Sequence, residues 1–263
     1  MIAKPFIAAW QKVAPWRDFA QIEQDLIISR TLIEIFSDDY LRENLAFRGG
    51  TALHKLYFNK ASRYSEDIDL VQIKPGPIKP IIERLGEVIT FFDEERTTQI
   101  RGHGIRALYR FTSEYENIRM RLKVEINCRE HYNLLNWNMT PYKVENNWFS
   151  GECSVRTYDI HELLGTKLRA LYQRRKGRDL FDLDYALQHM DINISEIVRC
   201  FQHYIELSTK KKPPSKKEFL QNMAGKKNDP IFIGDMEGIL RSEVNYNLDN
   251  AFYNIEYLIM NNM

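Results

Sequence analysis

Arg63-Tyr64-Ser65-Glu66-Asp67-Ile68-Asp69-Leu70 is the stretch on which the reading of this chain turns. From Asp67 onward acidic and apolar residues alternate, the period of a β-strand with one face in a core and the other turned away. Ile68 to Ile73 reads as that strand, with Ile68, Leu70 and Gln72 on one side. Asp67 and Asp69 then share the opposite side. Two carboxylates held together repel unless a cation lies between them. Magnesium suits such a pair, because it takes hard oxygen ligands and keeps positions open for water or phosphate. Taken alone, an Asp-x-Asp on a strand reads more often as a solvated edge, so the surroundings must decide.

Upstream, Asn44 to Arg48 is short and apolar enough for a strand, Gly49-Gly50 follows at once, and Thr51 to Phe58 reads as a helix. Glycines at that junction let backbone amides approach a phosphate, and the helix presents its positive end there. Thr51 can add a hydroxyl donor or cap the helix. A tight strand-to-helix connection also uses glycine for conformation alone. Downstream, Pro75-Gly76-Pro77 ends the acidic strand. A helix over Ile78 to Phe92, a charged connector with Gly102 and Gly104, and strands over Ala107 to Thr112 and Met120 to Asn127 follow. In the last strand Leu122, Val124 and Ile126 alternate with Lys123, Glu125 and Asn127. Glu125 is thus a candidate third carboxylate, for metal or for the attacking hydroxyl, and it reads equally as a solvated strand residue.

Ahead of this block, Phe19 to Ser37 has the spacing of an amphipathic helix. The character changes after Thr157. Asp159 with Glu162 three residues on reads as a capping box opening a helix to Arg175, Gly177 interrupts it, and Arg178 to His189 resumes the period. Further helices are expected over Ser195–Leu207, Lys216–Met223 and Asp235–Met260. The basic cluster Lys210 to Lys217 lacks interleaved aromatics and reads as a solvated loop, or alternatively as a contact for nucleic acid. The expected division is an α/β domain over residues 1–157 and a helical domain over 158–263.

The 263 residues are 44% hydrophobic and 12% aromatic, which excludes wholesale disorder. With 37 basic and 36 acidic residues the net charge is +1, which argues against a uniformly basic nucleic-acid coat. Cys128, Cys153 and Cys200 have no zinc-site spacing, and an odd, sparse count fits a reducing compartment. No run reaches membrane-spanning length. A soluble, cytoplasmic protein is expected. The six histidines form no metal-spaced group.

Phe47-Arg48-Gly49-Gly50-Thr51-Ala52-Leu53-His54-Lys55, followed by Arg63 to Leu70, closely resembles the AbiEii/AbiGii toxin family of nucleotidyltransferases, whose MenT relatives are also toxins. The resemblance continues through Leu163 to Ala170 and Arg174 to Asp182, and covers roughly residues 20–190. It implies a DNA polymerase β-type nucleotidyltransferase fold, α/β (α+β) with a helical C-terminal part. It also implies a nucleoside triphosphate donor, magnesium (or manganese in its place), and a toxin restrained by a cognate antitoxin protein in a toxin–antitoxin or phage-defence pair. MenT-type members modify tRNA ends, which makes an RNA 3′ hydroxyl a candidate acceptor. Residues 51 to 66 separate the Gly-Gly turn from the acidic pair, a longer gap than in the wider superfamily and a marker of this branch. Glu125 matches the superfamily's third acid by order and strand context only.

The segment from Lys167 through Arg178 holds six basic residues, both ends included, and no acidic one. Lys167 and Arg174, seven apart, would share a helix face able to neutralise a triphosphate, and the resemblance points to Lys167 for that role. Arg178 and Asp179 match the family's downstream Arg-Asp motif. They read alternatively as structure, with Asp179 a helix cap and Arg178 paired to Asp182. Arg174, Arg175 and Lys176 contact an RNA backbone or face solvent. Ser65 is a nucleotide contact, an acceptor of transfer, or a turn residue bonded to backbone.

Asp67, Asp69 and Glu125 are the candidate metal ligands. Gly49, Gly50, Thr51, Ser65, Lys167, Arg178 and Asp179 are the candidate nucleotide contacts, with Lys167 and Glu125 also assigned to catalysis. Two other readings stand beside transfer to RNA: transfer to a protein side chain, and a non-catalytic RNA- or antitoxin-binding module.

Overall fold

The computed structural model describes residues 2–59, 62–102, 104–241 and 243–263. The chain divides into two compact units, Met1–Tyr158 and Asp159–Met263.

The first unit opens with α1 (Lys4–Trp10), α2 (Phe19–Ser37) and α3 (Asp39–Asn44). Strand β1 (Leu45–Arg48) runs directly into α4 (Gly49–Ala52), which continues as one π turn over Leu53–Tyr57. Then come β2 (Asp67–Gln72), α5 (Lys79–Val88), β3 (Thr97–Arg101), β4 (Gly104–Thr112), β5 (Arg119–Asn127), β6 (Asn138–Glu145) and β7 (Ser150–Thr157). Among the described residues the strands form one mixed seven-stranded sheet in the order β3-β4-β5-β2-β1-β7-β6. β2 and β5 pair in parallel, as do β1 and β7, and the remaining neighbours are antiparallel. This is the α/β architecture the sequence implied.

Alternation orients the strands as the sequence dictates. Ile68, Leu70 and Gln72 of β2 and Leu122, Val124 and Ile126 of β5 are buried together on one side. The acidic residues of both strands lie on the other.

The long helix α2, expected to be amphipathic, is buried nearly all round, its polar residues Glu23, Gln24, Asp25, Ser29 and Thr31 included. Each of these is satisfied internally. Ser113 Oγ donates to Glu23 at 2.8 Å, and Trp10 Nε1 and Lys55 Nζ donate to Asp25 at 2.9 and 2.6 Å. Gln24 Nε2 donates to the backbone carbonyls of Glu66 and Arg121 at 3.1 and 3.0 Å, pinning the starts of β2 and β5 side by side.

The strands β3, β6 and β7 had no counterpart in the sequence reading. Their residues alternate weakly in hydrophobicity, and β3 and β6 sit at the two sheet edges, where burial demands least. α5 stops at Val88, short of the expected Phe92.

The second unit is helical: α6 (Ile160–Gln173), α7 (Gly177–His189), α8 (Ile194–Thr209), α9 (Lys216–Ala224), α10 (Pro230–Gly234) and α11 (Leu248–Asn262). The expected helix over 235–260 begins only at Leu248. Gly238 with φ +73° takes the left-handed region that ends helical winding, and the Asn247 side chain caps the later start. Ser242, within that expected span, lies outside the described residues. Asp159 caps α6 as expected, but Glu162 does not complete a capping box. Its carboxylate turns inward and accepts from Tyr204 Oη at 2.6 Å.

Candidate active site

Four strands contribute one residue each to a charged row. In register, Arg106 of β4 stands beside Glu125 of β5, Glu125 beside Asp69 of β2, and Asp69 beside Arg48 of β1. Residues paired in register project to the same face, so two carboxylates sit between two guanidinium-bearing positions. In the neighbouring row Asp67 stands beside Lys123. All three candidate carboxylates therefore share one face of two adjacent strands.

Their partners differ. Lys123 Nζ lies 2.5 Å from Asp67 Oδ2 and 3.8 Å from Glu125 Oε1. Arg106 grips Glu125, with Nη2 at 2.5 Å and Nε at 2.7 Å. Arg48 turns to Glu130, 2.7 Å away. Burial pushes the Asp67 carboxyl up to about 6, against the hydrogen bond and charge of Lys123, with Asp69 and Glu66 adding to the rise.

Among the described residues, no group of three or more carboxylate, imidazole or thiol side chains stands assembled to hold a metal. Asp67, Asp69 and Glu125 stand on neighbouring register positions without forming such a group, Asp67 being paired with Lys123 and Glu125 with Arg106. The donor set still suits magnesium. That ion commonly uses one or two carboxylates and takes its remaining ligands from water and substrate phosphates, without a closed protein cage.

The Gly-Gly segment is the first turn of a helix and not a loop ahead of one. Gly49 has φ +80°, and a Cβ there would stand 2.3 Å from Asp69 Oδ2. A Cβ on Gly50 would stand 2.5 Å from Arg63 Nη2. Each glycine is thus required by a different side chain. The first admits the acidic strand and the second admits a buried guanidinium.

Thr51 is buried, and its hydroxyl donates to the Asp67 carbonyl at 2.5 Å and meets Ser65 Oγ at 2.8 Å. Both hydroxyls therefore fasten the helix start to the head of β2. The partner of Ser65 here is a side-chain hydroxyl and not backbone, and for Thr51 the backbone amide is the route to a phosphate.

The sequence reading did not single out Lys123, Arg106 or Arg63. Alternation placed Lys123 on the same face as Glu125. The cross-strand register that sets Lys123 beside Asp67 is a tertiary property.

In the helical unit, Lys167 is buried, with Nζ 3.0 Å from Asp179 Oδ1 and 2.9 Å from Asp182 Oδ2. Arg174 does not extend the Lys167 helix face, because α6 ends at Gln173 and Arg174 is extended. It reaches Asp179 all the same, at 2.6 Å. Burial raises the Asp179 carboxyl, but the charges of Lys167 and Arg174 outweigh it and hold the group below the usual carboxylate range. Asp182 pairs with Lys167 and not with Arg178. Arg178 instead forks onto Asp235, at 2.9 and 3.0 Å.

A mixed sheet that sets an Asp-x-Asp strand against a helix opening with Gly-Gly has the architecture of a nucleotidyltransferase. A family profile described as the nucleotidyl transferase AbiEii toxin of Type IV toxin–antitoxin systems matches residues 30–252, and the chain belongs to that family. It is a nucleotidyltransferase of the toxin class. Among solved structures, MenT4, a nucleotidyltransferase toxin from Mycobacterium tuberculosis H37Rv, aligns with a TM-score of 0.71 at 16% identity, covering 97% of this chain and 89% of that one. JHP933 from Helicobacter pylori aligns with a TM-score of 0.55 at 17% identity, covering 92% and 90%. At such identities the likeness speaks for the fold alone. A sequence search of the curated proteins gives no match. Among the described residues no helix is long and apolar enough to cross a membrane.

Proposed function

We propose that this chain transfers a nucleoside monophosphate from a magnesium-bound nucleoside triphosphate to the hydroxyl of an RNA end, with tRNA the favoured acceptor. The observation that carries the reading is the position of Asp69 Oδ2, 2.3 Å from where a Cβ on Gly49 would stand, which sets the acidic strand close to the Gly-Gly turn. Asp67 and Asp69 would hold the metal, which when bound offsets charge on the phosphates. The amides at Gly49, Gly50 and Thr51 orient the triphosphate at the start of the helix.

Glu125 accepts the proton of the acceptor hydroxyl. That oxygen bonds to the α-phosphorus, the bond from the α-phosphorus to the bridging oxygen of the β-phosphate breaks, and pyrophosphate leaves. Positioning and charge supply most of the rate. Lys167 as a cation for the triphosphate, and Arg178 with Asp179 as nucleotide contacts, rest on the family resemblance. The toxin family supports reading a cognate antitoxin, a role in phage defence and a cytoplasmic site of action into this proposal.

The test is incubation with each of four α-labelled triphosphates, magnesium, and separate pools of total RNA and total protein. Label is expected in RNA and absent with Asp67→Asn or Asp69→Asn. Label confined to protein would make the chain a protein nucleotidylating enzyme, and unchanged RNA labelling by both variants would overturn the assignment.

A further inference from the structure

Arg63 is among the largest fully buried side chains of the protein, 1% exposed. Its Nη1 donates to the Tyr64 carbonyl at 3.0 Å, so the side chain folds back over its own strand approach. Its Nη2 occupies the space a Cβ on Gly50 would need, 2.5 Å from that position. Adding a carbon–carbon bond of about 1.5 Å puts the guanidinium within about 4 Å of Gly50 Cα. With Thr51, Ser65, Lys55 and His54 it also lines a cavity of about 190 Å³ behind the turn.

A buried guanidinium is costly to desolvate, and an apolar side chain of similar length fills such a space more cheaply. What the apolar chain lacks is charge and the donor that meets the Tyr64 carbonyl. From this geometry we infer that Arg63 is a positioning and charge-supplying residue for the triphosphate. It lies close against Gly50 and adds a fixed positive potential to the amides that meet the phosphates. Charge in a water-poor site acts more strongly than the same charge in solvent. Gly50 is the condition for this arrangement, since any Cβ would push the guanidinium out. The inference rests on the reading of Gly49–Gly50 as the phosphate site.

The experiment measures binding of non-hydrolysable analogues of the four nucleoside triphosphates, with magnesium chloride, to the full chain and to Arg63→Met and Arg63→Lys, by calorimetry. Folding is followed by circular dichroism. The wild type is expected to bind at least one analogue. Arg63→Met, still folded, is expected to bind it at least tenfold more weakly, with a smaller loss for the matching monophosphate. Arg63→Lys is expected to stay within about threefold of wild type. Triphosphate binding by folded Arg63→Met within twofold of wild type overturns the inference, and so does a loss in folded Arg63→Lys as large as that in Arg63→Met. Should Arg63→Met not fold, Arg63→Gln replaces it with the same thresholds. A wild type that binds no analogue overturns the phosphate-site reading itself, and this inference with it.

Discussion

Asp69 Oδ2 lies 2.3 Å from the point where a Cβ on residue 49 would stand, and Gly49 is the residue that leaves that point empty. Gly49→Ala should therefore suffer twice, from the clash and from a left-handed φ of +80°. A loss of roughly 2–3 kcal/mol in unfolding free energy is expected, from conformational strain plus displacement of Asp69. Nucleotidyl transfer should drop at least a hundredfold. Denaturant melts and a labelling assay read both, and an unperturbed Gly49→Ala enzyme would separate the turn from the metal strand.

Asp67 makes the fold and the chemistry pull apart. With its carboxyl raised to about 6 from an ordinary 3.8, the folded state holds a proton between those pH values that the unfolded state releases. Its contribution is therefore most favourable below about pH 4 and is lost as pH rises through 6. Asp67→Asn should stabilise the magnesium-free protein at pH 7 by on the order of 1–2 kcal/mol, less at pH 5, and should abolish transfer when magnesium is supplied. A variant less stable than wild type at pH 7 would contradict the burial argument.

Glu125 is about one-third exposed and paired with Arg106, so its ion pair carries little stability. Glu125→Gln should melt within about 1 kcal/mol of wild type. If the carboxylate takes the acceptor proton, turnover should fall by roughly two to four orders of magnitude with triphosphate binding nearly unchanged. Wild-type turnover in the variant would leave Glu125 as a strand ion pair only.

Lys167→Met leaves the buried carboxylates of Asp179 and Asp182 without their shared cation. Breaking a buried pair in this way should cost about 3–5 kcal/mol. A triphosphate affinity that falls while the protein remains folded would place Lys167 at the nucleotide as well. Intact affinity would make it a structural lysine.

Asp179 supplies the acid limb of the same network. Its carboxyl is held below 3.8 in the fold, so the stability it confers is complete above that value and is lost as pH falls through the depressed one. Thermal melts between pH 5 and 2.5 should show a shallower acid dependence in Asp179→Asn than in wild type, on a lower overall stability.

Local pattern alone determined a good part of this molecule. The alternation in Asp67 to Leu70 fixed a strand, its core side and its acidic side, because side-chain direction along a strand has period two. Gly49-Gly50 marked the junction of β1 with a helix expected from Thr51, which begins two residues earlier, and the helices over 19–37 and 178–189 were legible from apolar spacing. Tertiary structure decided which charges meet. That Asp69 stands beside Glu125, that Lys123 neutralises Asp67, and that Arg63 lies against Gly50 all depend on strand register and on a chain reversal, which no local period encodes. For Asp67 and Asp69 the sequence supplied a shared face, and packing supplied the burial that raises Asp67 and the glycine gap that admits Asp69.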